Sequence, residues 1–307
     1  MSSGSPDVSV ILVSWNTRQL LLDCLAALPA ALGNLNADVW VVDNASSDGS
    51  VAAVRESFPA ARLIENKHNV GFAAANNQAI MASAGRYALL LNSDTSATPG
   101  AIGRLVAFAD ECPRAGVVGA LLLNPDSSFQ ASYARFPSLH SELLSVTGIG
   151  PRLFGRWYPN RGPSRSQEPQ RVDWVQGACM LARRDAIDQA GLMDERYFMY
   201  NEEIDWCLRI WRAGWETWYL PTACILHHGG QSTRQARHAM IQALYRSKVR
   251  FFRKHRGVGA AAVLQASFVA VLWLKWLVGA LPGPGRQAAN PTLPIGWRDL
   301  SSQGTDR

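Results

Sequence analysis

The sequence predicts an α/β domain with a mostly parallel central sheet flanked by helices. Three observations carry that expectation. Short β-rich runs alternate with helical patterns through the first third of the chain, the signature of a parallel sheet covered by helices. Leu21, Leu25 and Leu28 fall on one face of the helical stretch after the first run. A further apolar run ends in "LLNSDTSATP", residues 90–99, where Asp94 meets small polar residues at a strand end, the edge at which α/β sheets hold ligands.

Residues 8–13 form the first strand, 18–32 the first helix and 38–42 the second strand. A third strand at 61–64, a helix over 72–84 and a fourth strand at 87–91 follow. A helix over 99–110, with Pro99 in its first turn, leads to a strand at 117–123. From 125 to 172, Pro137, Pro151, Pro159, Pro163 and Pro169 interrupt any period, so an irregular substrate-side insertion is expected. A strand-like run at 174–181 and an acidic helix from about Asn201 to Ala213 complete the pattern, which contains no internal repeat. This divides the chain into a domain at 1–234, with one half at about 7–124 and a second at about 125–234. A basic helical segment at 235–257, an apolar segment at 258–281 and a flexible tail at 282–307 follow.

A chain of 307 residues, 48% apolar and only 18% charged, can bury a sizeable core and is not a disordered protein. Its formal charge of +6 points to an anionic partner, and the distribution narrows the choice. Residues 246–256 contain no acid, whereas the first hundred residues mix both signs, so no nucleic-acid partner is expected. Cys24, Cys112, Cys179, Cys207 and Cys224 are odd in number, lack C-x-x-C spacing and read as reduced core thiols. Residues 2–7 are polar and the first apolar run is only strand-length, so this end is expected to stay in the cytosol.

Four clusters carry candidate chemistry. In VVDNASSDGS, residues 41–50, Asp43 can accept bonds from a base or ribose, and the same composition makes a plain turn. In NKHNVGFAAANN, residues 66–77, Gly71 precedes a helix whose free N–H groups could face phosphate, and it equally suits a turn. Asn92, Ser93 and Asp94 could hold a hard cation, Mg2+ or Mn2+, bridging a diphosphate, or form an ordinary turn. In NEEIDWCLR, residues 201–209, Asn201 can cap the helix, and Glu202, Asp205 and Arg209 share one face. Acids in a first turn also simply offset the helix dipole.

Taken in order, these motifs resemble the family 2 glycosyltransferases with a GT-A fold, especially the bacterial rhamnosyltransferase-like branch. The resemblance runs from residue 8 to about 257, through VSWN (13–16), VDNASSDGS (42–50), NVGF (69–72) with Asn76 and Asn77, and LLNSDT (90–95). It continues through RFP (135–137), Trp174 with GAC (177–179), GLMDE (191–195), the acidic helix and HHGGQST (227–233). It implies a GT-A type nucleotide-diphospho-sugar transferase fold and inverting transfer of a sugar from a nucleotide diphosphate to a hydroxyl. By that resemblance Asp43 contacts the nucleoside, with Ser14, Asn16, Asn44, Ser46, Asn69, Gly71 and Asn76 on the donor side. Asn92, Ser93 and Asp94 stand at the family's D-x-D-like motif, where Asn92 replaces the first aspartate and leaves one carboxylate. Asp94 and His227 are the implied metal ligands, with His228 as the alternative to His227.

Trp174, Gly177 and Arg209 complete the implied donor site. Glu203 takes the position of the catalytic base, with Glu202 and Asp205 as the neighbouring catalytic carboxylates and with Asp205 and Arg209 orienting the loop. The implied donor is dTDP-L-rhamnose, with a UDP-hexose as alternative, and the implied acceptor is a saccharide or lipid-linked saccharide in cell-surface polysaccharide synthesis. A nucleotide-binding membrane-associated protein without catalysis is the competing class, and Asp94 and Glu203 are the carboxylates that discriminate against it. A nucleotidyltransferase would carry a Gly-rich basic loop after the first strand, which residues 14–17 lack.

Residues 258–281 are apolar apart from Gln265, Ser267 and Lys275, and their length nearly suits a bilayer core of about 30 Å. Lys275 between Trp273 and Trp276 is also the pattern of an interface anchor, so spanning and interfacial embedding both stay open. The basic segment before it suits an anionic cytoplasmic leaflet. The expected location is the cytoplasmic side of the inner or plasma membrane, peripheral or single-span.

Overall fold

A computed structural model of the chain describes residues 5–163, 167–230 and 235–280. The chain forms two compact units, one of residues 1–136 with 160–236 and one of 137–159 with 237–307.

The larger unit begins with β1 (Val8–Ser14), α1 (Arg18–Leu32), β2 (Ala37–Asp43), α2 (Ser50–Ser57), β3 (Arg62–Glu65), α3 (Phe72–Ala82) and β4 (Tyr87–Asn92). These strands lie parallel in the order β3-β2-β1-β4, because each return is made through a helix. Next come β5 (Thr95–Ala97), α4 (Ala101–Glu111), β6 (Ala115–Leu123), β7 (Phe129–Gln130) and β8 (Tyr133–Ala134). After α5 (Leu139–Thr147) and α6 (Ile149–Phe154) of the smaller unit follow β9 (Gln170–Val172), β10 (Trp174–Val175), β11 (Cys179–Arg183), α7 (Arg184–Ala190), α8 (Glu202–Arg212) and β12 (Glu216–His227). The sheet continues as β4-β11-β6-β12-β5, with β11 antiparallel to both neighbours and β12 parallel to β6. It is therefore parallel from β3 to β4 and mixed beyond β4.

Leu21, Leu25 and Leu28 of α1 pack with Ile102 and Leu105 of α4 against Val10, Leu12, Leu89 and Leu91. Each fully buried leucine contributes about 1.5–3 kcal/mol. All five cysteines are free. Burial pushes the thiols of Cys24, Cys179 and Cys207 up to about 12, whereas Cys112 and Cys224 are only half-buried.

Several boundaries differ from the sequence expectation. The helix expected over 99–110 starts at Ala101, because Gly100 at φ 70° leaves Pro99 outside it. The run at 174–181 splits, β10 pairing with β8 in a separate two-stranded sheet while β11 enters the main one. Strand β12 contains Pro221, which sits where the ladder with β6 shifts register between Leu220 and Cys224.

The smaller unit consists of α5, α6, α9 (Arg237–His255) and α10 (Val258–Ala280). Residues 137–159, expected as an irregular insertion, are mostly helical, and Ser138 and Ser141 form a capping box at the start of α5. Phe251, Phe252, Leu264 and Phe268 are buried, and Lys248 Nζ meets the buried Glu142 Oε2 at 2.5 Å. Among the described residues no helix is long and apolar enough to cross a membrane. In α10 the side chains of Ala261, Leu264, Gln265 and Phe268 are buried. The Lys275 side chain, the 282–307 tail and residues 231–234 of the HHGGQST stretch lie outside the described part.

Candidate active site

The order β3-β2-β1-β4 sets the topological switch between β1 and β4, whose carboxyl ends carry Ser14 and Asn92. Register pairs Ser14 with Asp43 and Val13 with Asn92, so two of the four sequence clusters meet the VSWN motif on one edge. Ser14 Oγ lies 3.1 Å from Thr17 Oγ1, which lies 2.9 Å from Ser93 Oγ, a buried hydroxyl chain across the switch. Asn16, at φ 53°, donates its N–H to Ser46 Oγ at 2.9 Å and accepts the Ser47 N–H on Oδ1 at 2.7 Å. Asp43 Oδ2 accepts the Ser46 N–H at 2.8 Å, which is the plain-turn bond. Its Oδ1 is buried with no hydrogen-bond partner, the state in which a carboxylate receives a ligand's donor.

Pairing of β5 with the end of β12 sets His227 opposite Thr95 and beside Asp94. His227 Nε2 lies 3.2 Å from Asp94 Oδ1 and 3.3 Å from Asn92 Nδ2. His227 Nδ1 lies 2.6 Å from Gln130 Oε1, while Gln130 Nε2 donates to Asn124 Oδ1 at 3.0 Å. The second bond fixes Gln130 Oε1 as an acceptor and therefore puts a proton on His227 Nδ1. Orientation of a ligating imidazole through its other nitrogen is the arrangement metal sites use. Adjacent ligands on an octahedral ion with bonds of about 2.1 Å stand about 3 Å apart, so Asp94 and His227 fit a divalent cation as they stand. Among the described residues no group of three or more His, Cys, Asp and Glu converges. His228 is exposed and donates its backbone N–H to the Asp94 carbonyl at 2.9 Å, so it is the His227 ring that meets Asp94.

Helix α8 opens after two left-handed residues, Tyr200 at φ 67° and Asn201 at φ 65°, a conformation costing on the order of 1–3 kcal/mol per residue. Asn201 makes no side-chain cap, contrary to the expectation for that position. Seven buried side-chain polar atoms among the described residues lack a partner, and four belong to Asp43, Asn201, Glu202 and Glu203. Such orphans concentrate where a ligand supplies the partner. Burial pushes the half-buried Glu203 carboxyl up to about 7, and burial together with the Glu203 charge holds Glu202 well above the usual carboxylate range. The pair thus favours one ionised and one protonated member near neutral pH. A Cβ on Gly177 would stand 3.5 Å from the Phe72 ring and 3.8 Å from Glu203 Cβ. Ala178 O accepts the Asn92 N–H at 3.0 Å, so residues 177–178 connect the acidic pair to the end of β4.

Other candidates serve the frame. Asp205 is fully buried, accepting Arg209 Nε–H at 2.8 Å and the Tyr197 hydroxyl at 3.4 Å. Arg209 donates to Ala190 O at 2.6 Å and Leu192 O at 2.8 Å. The Asp205–Arg209 pair thus ties α8 to the carbonyls of the 190–192 loop, as expected of residues that orient that loop. Gly71, at φ 89°, lies so close to Phe198 that a Cβ would stand 2.5 Å from its carbonyl oxygen, which already accepts the Phe72 N–H at 2.8 Å. The Phe72 amide is thus engaged within the fold, and the close approach of Phe198 requires a glycine at position 71.

Asn44 Nδ2 donates to Gly71 O, Asn69 Oδ1 accepts the Gly71 N–H, Asn76 Nδ2 donates to Phe72 O and Trp174 Nε1 donates to Arg135 O. Each of these bonds holds a loop or helix turn. The sequence reading did not assign Gln130, Thr17 or Asn77 to the site. Asn77 bonds both backbone atoms of Met193, and both Asn77 and Thr17, three residues after Ser14, stood in stretches already singled out, whereas Gln130 did not.

The fold is similar to that of the mannosyltransferase from Pyrobaculum calidifontis in complex with GDP-Man and Mn2+, with TM-score 0.55 and 17% identity over 91% of this chain and 78% of that one. It is also similar to GalNAc-T7 with UDP, GalNAc and Mn2+, with TM-score 0.58 and 13% identity over 82% of this chain and 48% of the other. The architecture is the GT-A fold, and together with the family that the sequence matches it makes the protein a glycosyltransferase. Residues 9–191 match Glycosyl transferase family 2, and the chain belongs to that family. It is 31% identical over 267 residues, 81% of this chain and 85% of the relative, to the N-acetylglucosaminyl-diphospho-decaprenol L-rhamnosyltransferase of Mycobacterium tuberculosis.

Proposed function

We propose that the protein transfers L-rhamnose from dTDP-L-rhamnose, with inversion, to a hydroxyl of a lipid-linked saccharide at the cytoplasmic face of a membrane. The observation that carries this reading is Glu203, a half-buried carboxyl with an unpartnered oxygen, raised to about 7. A base with that value is both ionised and proton-accepting at neutral pH. The name of the mycobacterial relative supports the choice of sugar and of a lipid-linked acceptor.

In the reaction the acceptor hydroxyl gives its proton to Glu203 as its oxygen bonds to the anomeric carbon. The bond from that carbon to the diphosphate oxygen breaks on the opposite face, the nucleoside diphosphate leaves with the electron pair, and the centre inverts. Glu202 keeps its proton, which avoids a second negative charge beside the base. Asp43 Oδ1 accepts a hydrogen bond from the nucleoside. Asp94 and His227 would hold the divalent ion, Mg2+ or Mn2+, and the Mn2+ in both structural neighbours supports divalent-metal use. When bound, the ion offsets charge on the leaving diphosphate. Helices α9 and α10 give peripheral membrane attachment through basic and apolar side chains.

A mass-spectrometric screen with dTDP-L-rhamnose, UDP-hexoses and an N-acetylglucosaminyl-diphospho-polyprenol acceptor tests the proposal. Rhamnosylated product is the expected result. Transfer from a UDP-hexose alone would replace the donor, and binding without transfer from any donor would favour the non-catalytic alternative.

A further inference from the structure

The charge of the chain is unevenly divided. Residues 137–159 and 237–307 carry thirteen Lys and Arg against three Asp and Glu, a net +10 that leaves −4 for the other unit of a chain with total +6. The one acid among the described residues of this smaller unit, Glu142, is buried against Lys248. The described residues of the unit therefore carry a large excess of basic over acidic side chains.

The same unit carries most of the exposed apolar bulk. Of the eleven large hydrophobic side chains exposed among the described residues, nine lie in it, against Met81 and Trp211 in the larger unit. Helix α6 is the most concentrated case, with Leu153 67%, Phe154 61% and Ile149 44% exposed. Its inner side is held close, since a Cβ on Gly150 would stand 2.3 Å from the Tyr158 ring. Exposed Arg152 and Arg156 flank the apolar tips, and Arg156 lies over the Trp157 ring at 4.4 Å. Apolar tips beside arginine and tryptophan are the side-chain set of a bilayer interface.

We infer that α6 inserts Ile149, Leu153 and Phe154 into an anionic membrane surface, as a lipid contact additional to α10. The inference rests on the membrane attachment proposed above. Three side chains fall short of the roughly 800 Å² per partner of a stable protein interface. In a bilayer each apolar tip contributes on its own and adds to the attraction of neighbouring cations for anionic lipid.

The full-length protein is floated with vesicles of phosphatidylcholine alone or with about a third phosphatidylglycerol, comparing wild type, Leu153→Asp with Phe154→Asp, and the control Met81→Asp. Wild type and control should float with anionic vesicles, and partitioning of the double variant should fall by about tenfold or more. Hydrogen exchange of amides 149–158 should slow on anionic vesicles in wild type. Both substituted residues are exposed, so melting without vesicles should be unchanged, and a variant that melts early is replaced by Leu153→Ser with Phe154→Ser. Wild-type flotation of the folded double variant, with no protection of 149–158, would overturn the α6 contact while leaving membrane attachment standing. Failure of wild type to float would overturn both. A dimer in vesicle-free solution that the double variant abolishes would overturn lipid in favour of a second copy.

Discussion

Replacing Glu203 with Gln should make the enzyme slower and more stable at once. Its carboxyl moves from 4.5 to about 7 in the folded state, and each pH unit of displacement is worth about 1.4 kcal/mol. Between about pH 4.5 and 7 the folded chain keeps a proton that the unfolded chain has released. Stability therefore falls as pH rises through that window and levels off above it. Ionised Glu203 costs the fold up to about 3 kcal/mol at pH 8, and screening at its partly exposed edge brings the expected gain of Glu203→Gln to about 1–3 kcal/mol. Near pH 4.5 the gain should vanish.

Turnover should fall by about 10²-fold or more with donor affinity little changed, because the loss is confined to proton transfer. A carboxylate that merely offsets the helix dipole predicts the opposite sign, a stability loss of about 0.3–1 kcal/mol with activity retained. Urea unfolding at pH 8 and 4.5, read beside single-turnover transfer, separates the two. Lower stability at pH 8 with near-normal turnover would refute the reasoning. Glu202→Gln run in parallel detects a displacement of the base by one position, through collapse of turnover there and survival in the Glu203 variant.

Wild-type turnover should rise with pH along an acid limb centred near 7, belonging to the coupled Glu202–Glu203 pair, and a flat profile from pH 5 to 8 would exclude the pair as base. Asp94→Asn should weaken donor binding in Mn2+ by about tenfold or more, measured calorimetrically; equal wild-type affinities with and without metal would remove the ion from the site. Asp205→Ala leaves Arg209 without its buried carboxylate and should cost about 3–5 kcal/mol in chemical unfolding, with donor affinity per folded molecule preserved; an unshifted midpoint would sink that account. Gly71→Ala combines a positive φ with a contact on Phe198 and should cost about 2–5 kcal/mol, so a melt matching wild type would contradict the packing argument.

Features written in one continuous stretch were legible before any coordinates. The apolar run into Asn92, Ser93 and Asp94 gave both the strand and its ligand edge, and the leucine spacing of α1 gave its buried face. The i, i+4 spacing of Asp205 and Arg209 gave their pairing, but spacing says nothing about which helix face the tertiary fold covers, and the covered face is theirs. Gln130 and His227 meet across 97 residues and Asn77 reaches Met193 across 116, separations that no local period records. In 137–159 the prolines concealed helices because they sit at tolerated edges: Pro137 precedes the Ser138 cap and Pro151 falls in the first turn of α6.

Gly71 against Phe198, Asn77 against Met193 and Arg209 against the 190–192 carbonyls stitch α3 and α8 to a single loop. A chimaera that takes strands β1–β6 from one relative and the remainder from another would receive the two sides of that seam from different parents. Recombining donor and acceptor preferences within such enzymes therefore requires Gly71, Asn77, residues 190–198 and Arg209 to be inherited as one linked block. Grafts that divide the block should fail at folding, before any new specificity can be expressed.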